Sequence, residues 1–257
     1  MIACAFLTGR SQIHVTNPAE QPWIGLTLAW LDKLGIPYTN DNFTHYTVYG
    51  GNTITAFDYT VPGDFSSIAY PLATAVLTQS SLRITHIDMQ DVQGDRRLIE
   101  VLIDMGANIS FSDHTISVQP GSRLQGCDID VNAFIDAVPI LAVIGCFAEG
   151  RTRLLNAAIA RQKESDRLSA ITQELSAMGA NMSEQADSLT IYPSVLSGAT
   201  LQSHQDHRIA MALVVAAAAA GVKVLVNDVD CIRKSYPDFD RDMRAIGVLL
   251  DKTDVAS

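Results

Sequence analysis

With 257 residues, 47% of them hydrophobic and 18% charged, the chain has material for one large core or two modest ones. Its formal net charge of -10 argues against a nucleic-acid or anionic-membrane partner, because phosphate surfaces recruit Lys and Arg through counterion release. Any anion site must be assembled from a local concentration of the few basic residues.

Taken in chain order, residues 1–7 are apolar but short, lack a basic flank and make no convincing signal peptide. They read as the tail of a buried helix. Residues 26–35 carry apolar side chains at three- and four-residue spacing and close on Gly35, which predicts an amphipathic helix capped by a left-handed Gly. A strand, a polar turn and the alternating strand at residues 45–49 follow. The same grammar recurs at residues 98–106 and 168–179, with strands at 114–118 and 188–192, and more weakly at 240–247. The closing residues Gly35, Gly106, Gly179 and Gly247 return at a spacing of roughly 70, the mark of a repeated supersecondary unit.

Between these helices lie segments apolar nearly all round, at residues 66–77, 136–145 and 208–217, as expected of helices buried inside a domain. Each precedes a β-branched stretch. The predicted class is α/β, built of repeated βαβαββ units with buried parallel helices inside and sheets outside. Pro62 and Gly63 interrupt the chain before a new unit, so residues 1–60 read as part of one lobe and 61–257 as a complete lobe of three units. The longest apolar run, 209–226, is broken by Gly221 and Lys223 and suits a core helix plus a strand better than a membrane span. Cys4, Cys127, Cys146 and Cys231 are scattered, and read as reduced thiols of a cytoplasmic protein, with no disulfide frame or metal site.

Chemistry-bearing residues gather at the starts of the apolar helices, where free N–H groups and the helix dipole favour anions. Asp64, Ser66 and Asp206 are explained by N-capping alone. His207 and Arg208 are not, since a cation at a helix start opposes the dipole unless an anion lies between. Arg233 and Lys234 precede the last helix, with Pro237 near its first turn. Residues 93–97, containing Gly94 and Asp95, read as a solvated loop. Residues 161–167 pack five charges of both signs into seven positions, suited to gripping an anion beside an acid or base.

The runs at 161–168 (Arg-Gln-Lys-Glu-Ser-Asp-Arg-Leu), 206–211 (Asp-His-Arg-Ile-Ala-Met) and 234–238 (Lys-Ser-Tyr-Pro-Asp), with Gly-Asp-Phe-Ser-Ser at 63–67 and Gln-Gly-Asp at 93–95, resemble in order the motifs of the 5-enolpyruvylshikimate-3-phosphate (EPSP) synthases. The resemblance covers almost the whole chain but about the last three-fifths of the family's length. It implies a two-lobed fold with three units per lobe. It also implies transfer of the enolpyruvyl group of phosphoenolpyruvate to the 5-hydroxyl of shikimate 3-phosphate, with release of phosphate and no cofactor or metal.

By the same resemblance Asp136 lies beside the 5-hydroxyl, Lys163 near the sugar, and Glu164 shuttles a proton at the methylene carbon. Arg167, Arg208 and Lys234 clamp phosphoenolpyruvate, and His207 is the histidine of the second run. The assignment of acid and base among Asp136, Glu164 and Lys234 stays open. Trp23 stands where the family binds substrate with Tyr, and Glu20 where it has Ser; Ile159 replaces a frequent Asn.

A chain holding half of a closed site is expected to need the other lobe, in trans or from a self-associated copy. The competing expectation is a truncated, non-catalytic module for phosphorylated ligands, or a complementing subunit of a split synthase. UDP-N-acetylglucosamine enolpyruvyl transferases and RNA 3′-phosphate cyclases share such units, but the 163–167 and 206–208 runs disfavour both.

Overall fold

A computed structural model describes residues 1–251. The repeat is visible in its architecture. Helix α1 (Gln21–Lys33) leads through Gly35 at φ +66° into β2 (Tyr38–Asp41) and β3 (His45–Tyr49), with β1 (Arg10–His14) on the far side of β3. The next unit carries α2 (Phe65–Leu77), β4 (Leu82–Thr85), α3 (Arg97–Asp104), β5 (Ile109–Ser112) and β6 (Thr115–Val118). After it come β7 (Asp128–Asp130), α4 (Val138–Phe147), β8 (Thr152–Leu155), α5 (Arg167–Ala177), β9 (Asn181–Glu184) and β10 (Leu189–Tyr192). The last described unit is β11 (Thr200–Gln202), α6 (His207–Ala220), β12 (Leu225–Asn227) and α7 (Phe239–Ala245).

The predicted βαβαββ order is complete in the middle unit. There β7 pairs parallel with β8 across the buried helix α4, and β9 and β10 close an antiparallel hairpin beside β8. Two expectations need correction. No strand forms between residues 50 and 64, so the unit around α2 lacks its opening strand; near its end the segment is held by a backbone hydrogen bond from the Gly63 N–H to the His86 carbonyl, and Pro62 has no N–H to extend a ladder. Among the described residues the last unit stops at α7, with no closing hairpin.

The three apolar helices pack on one another, their side chains buried on nearly every face. Each amphipathic helix lays one face on them: Leu98, Ile99 and Leu102 of α3, and Leu168, Ile171 and Leu175 of α5, are buried. A Cβ on Gly145 of α4 would stand 3.1 Å from Ile191, so Gly lets that helix lie close on the sheet. A second, smaller core joins Ala5, Leu28, Leu31, Ile36, Tyr46 and Val48.

Residues 1–7 are not a buried helix tail. They hold a 3-10 turn, Ala3–Phe6, in which only Ala5 is buried while Ile2, Phe6 and Leu7 are exposed. No helix among the described residues is long and apolar enough to cross a membrane.

Candidate active site

The starts of the three buried helices converge. Asp64 caps α2, accepting hydrogen bonds from the backbone N–H groups of Ser66 and Ser67. Asp136 lies on the 3-10 turn Ile135–Ala137 that runs into α4, and Asp206 caps α6 through the N–H of Arg208. The capping expectation therefore holds for Asp64. It fails for Ser66, whose hydroxyl donates to Asp64, and it covers only part of what Asp206 does.

Arg167, at the first position of α5 and 1% exposed, lies at the centre. Its Nε donates to Asp206 Oδ2 at 2.7 Å, its Nη1 to Asp136 Oδ1 at 2.6 Å, and its Nη2 to Glu164 and, at 3.3 Å, to Asp206 Oδ1. A guanidinium has a rigid fork of donors, which suits it to bridge carboxylates from separate elements. Asp206 is fully buried, so Arg167 neutralises a charge that burial would otherwise penalise. Ser165 adds a hydroxyl at 3.0 Å.

Asp136 is the second node. Arg208 Nη2 approaches its Oδ2 at 3.0 Å, and Lys163 Nζ its Oδ1 at 3.5 Å. Burial works to raise the Asp136 pKa, but Arg208, Arg167 and Lys163 outweigh it and hold the carboxyl below its ordinary value. Burial likewise opposes ionisation of Asp206, and Arg167 with the Arg208 N–H reverses the balance. Arg208 is buried beside the Tyr70 hydroxyl as well as Asp136, and its pKa stands above the ordinary guanidinium value despite burial. Tyr70 itself is pushed up to about 12 by burial.

His207 is buried, its Nδ1 without a hydrogen-bond partner among the described residues and 3.8 Å from Glu164 Oε1. Burial first, and Arg208 next, lower its pKa, so the ring is neutral at pH 7. Glu164 is 40% exposed, the open end of the cluster. The anion that the sequence demanded beside His207 and Arg208 is thus supplied by the protein's own Asp136.

Sequence-predicted residues on three segments meet here: Asp136, Lys163, Glu164, Arg167, His207 and Arg208. Two others stand apart. Lys234 is exposed at the end of the 3-10 turn Val229–Lys234 and takes no part in the network. The turn precedes α7 as expected, and Pro237 stands two residues before the first residue of that helix. Phe239 of α7 packs edge-on to Tyr70 of α2, which keeps this segment at the same end of the domain. Trp23 is half-buried on the first turn of α1, and its neighbour Glu20 makes the contact across to Lys163. Glu20 holds a left-handed backbone at φ 49°, unusual for a residue with a Cβ.

Sequence reasoning missed Glu20 as an ion-pair partner, Asp206 as the main anchor of Arg167, and Asp95, which is buried where a solvated loop was expected. It also credited Arg161 to the anion grip. Arg161 instead pairs with Asp166 and Glu184 and donates to the carbonyls of Gln185 and Ala186, a clasp on the β9–β10 turn. Outside the cluster, buried Glu174 receives the Gln202 N–H at 2.8 Å and lies 2.7 Å from the His204 ring, fixing the turn that presents Asp206.

Residues 1–243 match the model of the family described as EPSP synthase (3-phosphoshikimate 1-carboxyvinyltransferase). The chain is 48% identical over 240 residues to the 3-phosphoshikimate 1-carboxyvinyltransferase of Chlamydia abortus, covering 93% of this chain and 54% of that one. With the protein of the same name from Ruminiclostridium cellulolyticum it shares 38% identity over 237 residues, covering 92% and 56%. The chain thus spans about half the length of the curated relatives it matches. In fold it is similar to EPSP synthase from Acinetobacter baumannii, with a TM-score of 0.79 at 22% identity over 97% of this chain and 59% of that one. The enolpyruvyl transferase NikO from Streptomyces tendae superposes with a TM-score of 0.76 at 20% identity, over 97% and 58%.

Proposed function

The chain belongs to the EPSP synthase family, and from that premise we propose that its charged cluster serves enolpyruvyl transfer from phosphoenolpyruvate to the 5-hydroxyl of shikimate 3-phosphate, with release of phosphate. The observation that carries this reading is the convergence of Lys163, Arg167 and Arg208 on Asp136 at the starts of the buried helices. Such a group can bind anions and also hold carboxylates for proton transfer.

Every nitrogen of the Arg167 fork is engaged by a carboxylate, and Arg208 and Lys163 also lean on one. A phosphate or carboxylate of substrate therefore binds by exchange, taking cations away from Glu164 and Asp136. The exchange has a chemical consequence. A carboxylate relieved of its cations regains basicity, so anion binding prepares Asp136 to accept a proton from a nearby hydroxyl. Exposed Glu164 is the side chain freest to turn toward a reacting carbon, and Lys163, already 3.5 Å from Asp136, is placed to steady the acceptor.

The remaining roles follow the family. Arg208 and Arg167 neutralise charge on phosphoenolpyruvate, Lys234 adds a cation from the neighbouring turn, His207 borders Glu164, and Trp23 lines the sugar side. Developing charge in a dry site is stabilised by such fixed cations more than it would be in water. The reading assigns residues 1–60 to part of one lobe and 61–257 to another. The test is phosphate release from shikimate 3-phosphate plus phosphoenolpyruvate, lost on Lys163→Ala or Arg208→Ala; turnover surviving both changes rejects these roles.

A further inference from the structure

The carboxylate of Asp95 has no role in the account above. It lies on the 3-10 turn Gly94–Arg96, is 3% exposed, and neither oxygen has a hydrogen-bond partner among the described residues. The turn is seated tightly: a Cβ on Gly94 would stand 2.3 Å from the Ala133 carbonyl oxygen and 3.0 Å from Pro22 Cβ. Asp95 lines a small cavity together with Ser66, Tyr70, Asp136 and Arg208, so it shares space with the second node of the cluster and with the cation that leans on it.

The charges that reach Asp95 come from each packed element: Arg208 on α6, Asp136 before α4, Asp64 at the cap of α2, and Lys163 before α5, with the Tyr70 hydroxyl beside them. Two of those four charged groups are anions. A buried carboxylate without donors and with anionic neighbours is better neutral, that is, protonated. Burial, partly offset by Arg208, raises its pKa to about 7, where protonation can change under physiological conditions.

We propose that Asp95 is a proton-linked positioning residue for anion binding, neutral when Arg208 holds a ligand anion and, when ionised, a competitor of that ligand for Arg208. The proposal rests on reading the cluster as an anion site. Its proton balance is simple: a buffer acid gives up its proton and becomes its conjugate base, and that proton forms an O–H bond on the Asp95 carboxylate as the anion enters. The sign follows from the added negative charge, which favours the protonated form. The bound state holds more protons, and affinity falls as pH rises through the neutral range, by at most about tenfold per pH unit for one proton. His207, already neutral there, does not contribute this slope.

The experiment titrates sulfate, doubly charged throughout pH 6–9, and separately phosphoenolpyruvate, into wild type and Asp95→Asn by calorimetry in buffers of different ionisation enthalpy. Wild type should bind sulfate more weakly as pH rises and take up as much as one proton. Asp95→Asn should bind at the wild-type acid-side affinity, with neither effect. Equal pH dependence in both proteins overturns the proposal and leaves the anion site standing; no binding of either anion to either protein overturns the functional reading and the proposal together. Where Asp95→Asn fails to fold, the 13C-carboxyl titration of Asp95 in wild type decides. A midpoint near neutrality supports the proposal, and one in the ordinary carboxylate range, around 4, overturns it.

Discussion

Arg167 Nη1 stands 2.6 Å from Asp136 Oδ1, and through that contact α5 and the start of α4 are fastened at a shared charged centre. The guanidinium is buried, and through Asp206 it holds the start of α6 as well. One side chain therefore organises the site and closes the core beneath it.

Arg167→Met is expected to destabilise the fold by about 3–5 kcal/mol, since it leaves Asp206 and Asp136 buried without their main cation. Arg167→Lys should fall between wild type and Met, because it keeps the charge but loses the fork. Urea unfolding midpoints check both, and an Arg167→Met midpoint equal to wild type would contradict the central role of the guanidinium.

Asp136→Asn should lower turnover by roughly 10²–10⁴-fold, the usual contribution of a positioned acid or base. Phosphate release under saturating substrate measures it. Turnover within a factor of two of wild type would remove Asp136 from proton transfer.

The acid limb of stability has separable parts. His207 has a lowered folded-state pKa, so the unfolded chain takes up a proton near pH 6.5 that the folded chain refuses; stability falls as pH drops below that value. Asp136 and Asp206 are also lowered, and their contribution is full above about pH 4 and lost as pH falls through their folded values. Asp95 is raised to about 7 and acts oppositely, costing stability as pH rises from about 4 to 7. Thermal melts from pH 8 to 5 should therefore show a smaller acid loss in His207→Gln than in wild type. A parallel loss in the two proteins would refute the buried, neutral ring.

Glu20→Gln should leave stability within about 1 kcal/mol, because its pair with Lys163 is partly exposed. It should tighten anion binding up to about fivefold by removing a competitor for Lys163. Sulfate affinity at fixed pH and ionic strength reads this directly, and unchanged or weaker binding would show that the pair does not compete with ligand.

Gly94→Ala should cost about 1–3 kcal/mol, since the added methyl meets the Ala133 carbonyl and backbone must move. A neutral effect on the urea midpoint would show that the Asp95 turn is free to shift.

Much of the scaffold was legible because it repeats. Gly35, Gly106 and Gly179 all take positive φ where a helix with one apolar stripe ends, and three copies of that signal outweigh the ambiguity of any one. The helices apolar all round were equally plain, for nothing but burial accounts for residues 138–147. The site was legible where a charge made no sense as a cap, as at His207 and Arg208. It was illegible where one residue does two things. Asp206 satisfies a helix N–H and anchors Arg167, and the first role hid the second. Asp95 and Arg161 were misjudged in opposite directions because exposure in a polar loop is decided by tertiary contacts, with the Ala133 loop in one case and the β9–β10 turn in the other. Residues 1–7 were misread for the same reason: their apolar side chains are left outside the small core that takes only Ala5.

The most direct test of the central claim is phosphate release from shikimate 3-phosphate and phosphoenolpyruvate by the protein carrying this chain, compared with its Arg208→Ala variant at matched folded fraction. The exchange account predicts release by wild type and a loss of at least about 10²-fold in the variant, as for removal of a cation that stabilises developing charge. Equal release by the two proteins, or none from wild type, would contradict it.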